Sequence, residues 1–204
     1  MDSKYVITLP DFNYTYHNDN SVRFYIRNTL TVALHSNDPG LTWWQVAQSN
    51  QPTIQALQNN TVYFDVISKR RYGVQANREL FDTTSRSWYT ATQWLEEWIV
   101  QVSAFQLRDT SDDPNVMIGI DVLTKIQSFI NGGGLALTAL DGSTIFDPEW
   151  LDVLWSKDLR EIDFETDSGL KEKLPQFDFG LVVSQTLLNK IPQIDNINIT
   201  TERI

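Results

Sequence analysis

The chain has 204 residues, enough for one domain with a sizeable core or at most two small ones. Hydrophobic residues make up 41% and aromatics 12%, including seven Trp, so a packed globule is expected rather than a disordered chain. Sixteen Lys and Arg against 26 Asp and Glu give a net charge of -10, which repels nucleic-acid phosphates and argues against a DNA-gripping surface.

Residues 1–20 are polar, aromatic and turn-rich (Pro10-Asp11-Phe12-Asn13, Asn18-Asp19-Asn20) and read as an irregular N-terminal arm. Ser21 then suits a helix cap, and Val22, Tyr25, Ile26, Leu30, Ala33 and Leu34 follow at amphipathic spacing. Asn37-Asp38-Pro39-Gly40 stops that helix. The stretch with Trp43-Trp44 and Pro52 predicts a short helix or a loop over the core.

A strand is expected from about Thr61, where Val62, Phe64 and Val66 alternate with Tyr63, Asp65 and Ile67. It can run on through Lys69-Arg70-Arg71 to Tyr72-Gly73-Val74-Gln75, with a turn or long loop over 77–87. A second extended run begins near Ser87. Trp98, Val100, Val102 and Ala104 face one way and Gln101 and Ser103 the other, as in a half-buried antiparallel strand. Fifteen residues of strand reach about 50 Å at roughly 3.3 Å each. A hairpin of that length outgrows the core of its own domain and calls for cover from elsewhere.

Asp113 suits an N-cap and Pro114 the first helical position of a second helix. Its expected stripe is Val116, Ile120, Leu123, Gln127 and Ile130, with Gly119, Ile126 and Phe129 beside it. Gly132-Gly133-Gly134 ends it. Asp147-Pro148 repeats the capping device for a short helix through Trp150, Leu151, Leu154 and Trp155. A strand through Ile162 and Phe164 follows, then a turn at 167–169. The stretch 176–187 is another strand, with Phe177, Phe179, Leu181, Val183 and Leu187 at a period of two. The last residues carry spaced Ile, and Pro192 makes an interior strand there unlikely. The expected class is α+β, two antiparallel β-hairpins packed against two α-helices as a sandwich. The expected division is an arm over 1–20, one α+β domain over 21–188 and a C-terminal extension over 189–204.

Chemistry is sparse. The absence of cysteine removes disulfides, thiolate metal sites and Cys nucleophiles. His17 and His35 sit in no metal-binding signature. No run approaches the roughly 18 apolar residues of a membrane span, and Met1-Asp2-Ser3-Lys4 lacks a secretory layout. The expectation is a soluble protein made in a cytoplasm. Glu96 and Glu97 are adjacent on a strand and point to opposite faces, so they make no catalytic pair. Asp112, Asp113, Asp147 and Glu149 are explained as helix-start acids. Asp163, Glu165 and Asp178 could cluster across a hairpin and hold a divalent cation, although a solvated sheet face explains them as well. The three glycines match no phosphate-binding loop. Trp43, Trp44 and Tyr89 could form a sugar-stacking platform, and equally core or interface packing. No cofactor and no catalysis are expected. A carbohydrate-binding module and an acidic hydrolase remain as readings of other classes.

Some fragments suggest more. Tyr63-Phe64-Asp65-Val66 leads to Arg71-Tyr72-Gly73-Val74-Gln75; the strand from Trp94 through Trp98 to Gln106 and the closing Phe177-Asp178-Phe179-Gly180-Leu181-Val182-Val183 follow. In this order of elements, over roughly residues 20–188, the chain resembles the tail-terminator and neck proteins of tailed bacteriophages. It is most similar to the neck-terminator or "gateway" type of contractile-tailed phages. That resemblance implies a virion protein, assembled in the host cytoplasm, that forms a ring of six at the head-tail junction. It would join tail tube and sheath to the head connector while DNA passes through the lumen without specific binding. Another neck, collar or baseplate component is the neighbouring reading. Contacts with other proteins are expected at Lys69, Arg70, Arg71, Tyr72, Arg78, Trp88 and Tyr89, and at Ile194, Ile197 and Ile199 of the extension, which could pair along a neighbour's strand edge.

Overall fold

The computed structural model describes residues 6–7, 16–35, 41, 43–49, 60–106, 118–138, 143–146, 149–165 and 171–192. Among them are two helices, α1 (Asp19–His35) and α2 (Gly119–Asn131). The strands are β1 (Val6–Ile7), β2 (Gln45–Gln48), β3 (Thr61–Asp82), β4 (Ser87–Phe105), β5 (Ala136–Thr138), β6 (Thr144–Phe146), β7 (Leu151–Ser156), β8 (Arg160–Glu165) and β9 (Lys171–Lys190). The fold is α+β with a mostly antiparallel sheet.

The sheet runs β1-β3-β4-β9-β7, with β2 also on β3 and β8 also on β9. β3 and β4 are hydrogen-bonded neighbours joined by the turn at 83–86. β2 lies parallel to the start of β3, Val46 opposite Val62. β8 and β7 pair antiparallel with successive stretches of β9, Ile162 opposite Leu174 and Leu151 opposite Val183. β5 and β6 form a separate two-stranded sheet.

The chain groups into two compact units. One comprises Met1–Tyr16, Gly73–Leu95 and Gln185–Ile204, the other His17–Tyr72 and Glu96–Ser184. The second unit holds the main core. Val22, Ile26, Leu30, Ala33 and Leu34 of α1 and Val122, Leu123, Ile126 and Ile130 of α2 pack with Val62, Phe64, Trp98, Val100, Val102, Phe177, Phe179, Leu181 and Val183 of the sheet. The period of two in β4 and β9 puts every second side chain on that face. A reciprocal bond ties α1 to β5: Thr29 Oγ1 donates to the Ala136 carbonyl and accepts from its N–H. In the first unit, Leu80 and Ala91 are the buried hydrophobic residues among those described.

Several local expectations change. Asn18, not Ser21, caps α1, its Oδ1 accepting from the Ser21 N–H at 2.9 Å. The Trp43-Trp44 stretch leads into a strand, because Gln45–Gln48 finds the open side of β3. The loop expected over 77–87 shrinks to four residues as β3 continues to Asp82. α2 begins at Gly119 rather than Pro114, since Ile118 is extended at φ -86 and ψ 162. The side chain of Gln106, just past the end of β4, accepts from the Gly119 N–H, so that helix start is served from outside its own segment. Residues 151–156 are strand and not helix: pairing with β9 overrides a pattern whose apolar residues suit either period. The register shifts between Val153 and Trp155, and Leu154 shares the exposed face with Asp152. Gly133, at φ +80, ends α2 as expected. The 37–40 stop, the caps at 113–114 and 147–148, the turn at 167–169 and the end of the chain past 192 lie outside the described residues.

Candidate interaction surface

From Lys69 to Glu79 every residue of β3 is exposed, so this stretch shows side chains rather than a core face. Its basic residues divide by face. Lys69 turns toward α1: its Nζ lies 2.8 Å from Asp19 Oδ1 and 3.4 Å from Glu96 Oε2, and 4.7 Å from the ring centre of Trp98. Burial alone would lower the Lys69 ammonium, but Asp19 and Glu96 hold it above its ordinary value. Glu96 also accepts from the Trp98 indole at 3.1 Å.

Arg70 takes the opposite face and bonds Glu97. Glu97 is 3% exposed and accepts from the Trp155 indole N–H at 3.0 Å. The Trp155 N–H first, then Arg70, hold the Glu97 carboxyl below its usual range. Trp155 fits because its register partner is Gly180, where a Cβ would stand 2.5 Å from the indole nitrogen. The two adjacent glutamates therefore do serve opposite faces, each as an anchor for one base of β3.

Asp178, also buried, is bound by Arg160 at 2.9 Å, Gln101 at 3.3 Å and more loosely Lys157 at 3.8 Å. In β8, Asp163 stands opposite Lys173 and Glu165 opposite Lys171. Thus Asp178 is held by bases and not gathered with the other two acids. Among the described residues no group of three His, Cys, Asp or Glu could hold a metal ion. His17 stacks on Trp150 at 3.7 Å, and burial lowers its imidazole. His35 Nε2 meets the Trp44 carbonyl.

The other expected contact residues lie as follows. Arg71 and Arg78 are exposed, Tyr72 is 41% exposed and Trp88 40%, with the Trp88 ring 5.1 Å from Phe81. Tyr89 is half-buried and its hydroxyl reaches Ser85 at 3.5 Å. The turn before it is set by Asp82, which accepts from the Thr84 and Ser85 N–H groups; bonding from Ser85 leads the causes that lower its carboxyl. Ile194, Ile197 and Ile199 lie outside the described residues. Trp44 is buried in the core while Trp43 is exposed, so the two indoles do not form a shared stacking platform. Sequence reasoning passed over Val74, which is 93% exposed. An apolar side chain inside a basic, polar strand was the available signal. It also passed over Trp155, whose role depends on a glycine 25 residues away.

No helix among the described residues is long and apolar enough to cross a membrane. Residues 22–193 match the family model of the E217 gateway protein gp29. That match makes the molecule a structural protein of the bacteriophage virion. The chain belongs to the E217 gateway protein gp29 family. No curated protein shows a significant match.

Proposed function

We propose that the protein is a neck component of a contractile-tailed phage, forming a six-membered ring at the head-tail junction. It joins the tail tube and sheath to the head connector and lets DNA pass. The observation that carries this reading is the gateway-family match over 22–193. The acidic charge supports a lumen that does not grip DNA. The fold would then be the tail-terminator sandwich, with 21–188 as its body and 1–20 and 189–204 as segments that reach neighbours. No catalytic step is assigned to any residue.

Contacts with other proteins are placed at 69–78, 81–88 and the C-terminal extension. Val74 is the most exposed apolar residue described there, with Tyr72, Arg78 and Trp88 also open to a partner, while Lys69 and Arg70 hold the strand to its own sheet. The test is a phage carrying an early stop codon in this reading frame, imaged after induction. Filled heads and complete tails that fail to join support the role. Normal particles, or label found only at the baseplate, would refute it.

A further inference from the structure

The residue that precedes the three glycines gives the end of α2 a chemistry of its own. Asn131-Gly132 is the one Asn-Gly step in the chain. In such a step the backbone nitrogen of the glycine can attack the carboxamide carbon of the asparagine, because no side chain stands beside the attacking atom. A succinimide ring closes as the new C–N bond forms. Ammonia leaves, taking with it the proton that the backbone nitrogen gives up. Water then opens the ring at either carbonyl and leaves aspartate or isoaspartate.

The fold presents the amide and holds back the nucleophile. Asn131 is the last residue of α2 and is exposed. The Gly132 N–H is spent on the Ser128 carbonyl at 3.0 Å. Beyond it the helix closes with a complete cap around Gly133, which is left-handed at φ +80. The Gly133 N–H donates to the Ile130 carbonyl and the Gly134 N–H to the Phe129 carbonyl, each at 3.0 Å. These bonds fix the backbone on both sides of the attacking nitrogen, so the ring closes only when the last turn of the helix opens.

We infer that Asn131 is the residue at which this protein spontaneously deamidates, and that the cap at Gly133 sets the rate. The product matters to the fold. The last turn of α2 holds no basic residue, so a carboxylate at 131 meets the negative end of the helix dipole unopposed. Isoaspartate goes further: it routes the backbone through the former side chain and adds a methylene ahead of Gly132. Gly133 and Gly134 then lose their register with the Ile130 and Phe129 carbonyls. Gly134 lies against Phe129, where a Cβ would stand 2.7 Å from the ring, and Ala136 just beyond is the residue tied to Thr29 of α1. Deamidation therefore loosens the joint between α2 and β5. The inference does not rest on the proposed neck role.

The test is a time course of the full chain in mildly alkaline buffer, folded and in urea, read by peptide mass spectrometry. The mass gain of an amide-to-acid exchange locates the reaction, and isoaspartate elutes apart from aspartate. Asn131 should convert before any other asparagine of the folded chain, and faster in urea. Gly132→Ala keeps the fold, since its Cβ would meet the Phe129 and Ser128 carbonyls at an ordinary 3.4 Å. It crowds the attacking nitrogen, so conversion should slow severalfold both folded and in urea. Gly133→Ala leaves the reacting pair untouched and forces an L-residue into the left-handed cap. It should speed conversion about tenfold in the folded chain and leave the rate in urea unchanged. An Asn131 that stays intact in urea, another asparagine converting first in the folded chain, or a folded rate equal to that in urea overturns the inference. So does a parental rate in either variant.

Discussion

Glu97 shows how a single side chain organises one face of the sheet. It is 3% exposed and receives both the Trp155 indole and Arg70. A buried carboxylate of this kind is favourable only while both partners remain. Its carboxyl lies below the ordinary value of 4.5, so its contribution to stability is complete above that unfolded value and is lost as pH falls through the lower folded one. Glu97→Gln should cost about 1–3 kcal/mol at pH 7. The deficit should shrink in urea titrations repeated well below pH 4.5; an equal deficit at both pH values would place the effect elsewhere. Gly180 is the other half of the arrangement. Gly180→Ala forces the Trp155 ring away and should cost about 1–3 kcal/mol. Because both changes act on the same indole, the double variant should lose less than the sum of the two. Strict additivity would show that Trp155 does not link them.

At the scale of elements, the helices are held by bonds that cross between segments. Thr29 satisfies both backbone groups of Ala136 in a buried position. Thr29→Val keeps the shape and strands the buried Ala136 N–H, while Asn28 Nδ2 still donates to the Ala136 carbonyl at 3.3 Å, so a loss of about 1–3 kcal/mol is expected in thermal or urea unfolding. An unchanged midpoint would mean that water reaches Ala136. Lys125 of α2 donates to the Leu34 carbonyl near the end of α1, meeting one of the acceptors a helix leaves open. These contacts explain why the apolar stripes were legible in sequence and the boundaries less so. The period of two at Trp98, Val100, Val102 and Ala104 and at Phe177, Phe179, Leu181 and Val183 predicted the buried face, and all eight are buried, whereas Leu187, counted in the same period, is 42% exposed. The start of α2 was misplaced because its first N–H is met by Gln106, just past the end of β4, and not by a local cap. Residues 151–156 were misread because their strand state depends on β9.

At the scale of the whole molecule, assembly is the property to test. Ending the chain after Leu188 removes Lys190 and the Ile191 N–H that bonds the Trp88 carbonyl, together with the spaced Ile residues of the extension. Under the proposed role, such a protein should enter particles poorly and leave heads and tails unjoined in complementation assays. Normal rings and joined particles from the shortened chain would remove the extension from the assembly surface.

The amino-acid sequence alone determined the class of fold, the acidic charge, the alternation that buries one sheet face and the family fragments, because these depend on composition and on neighbours a few residues apart. Tertiary structure alone decided which polar groups are occupied. Lys69 and Arg70 adjoin in sequence, yet one is drawn to Asp19 and Glu96 and the other to Glu97, since successive strand residues face opposite ways and meet partners brought from distant segments. Asp178 became an anchor for Arg160 instead of part of a metal-binding trio for the same reason: the pairing of β8 with β9 sets its neighbours, and no spacing along the chain records that.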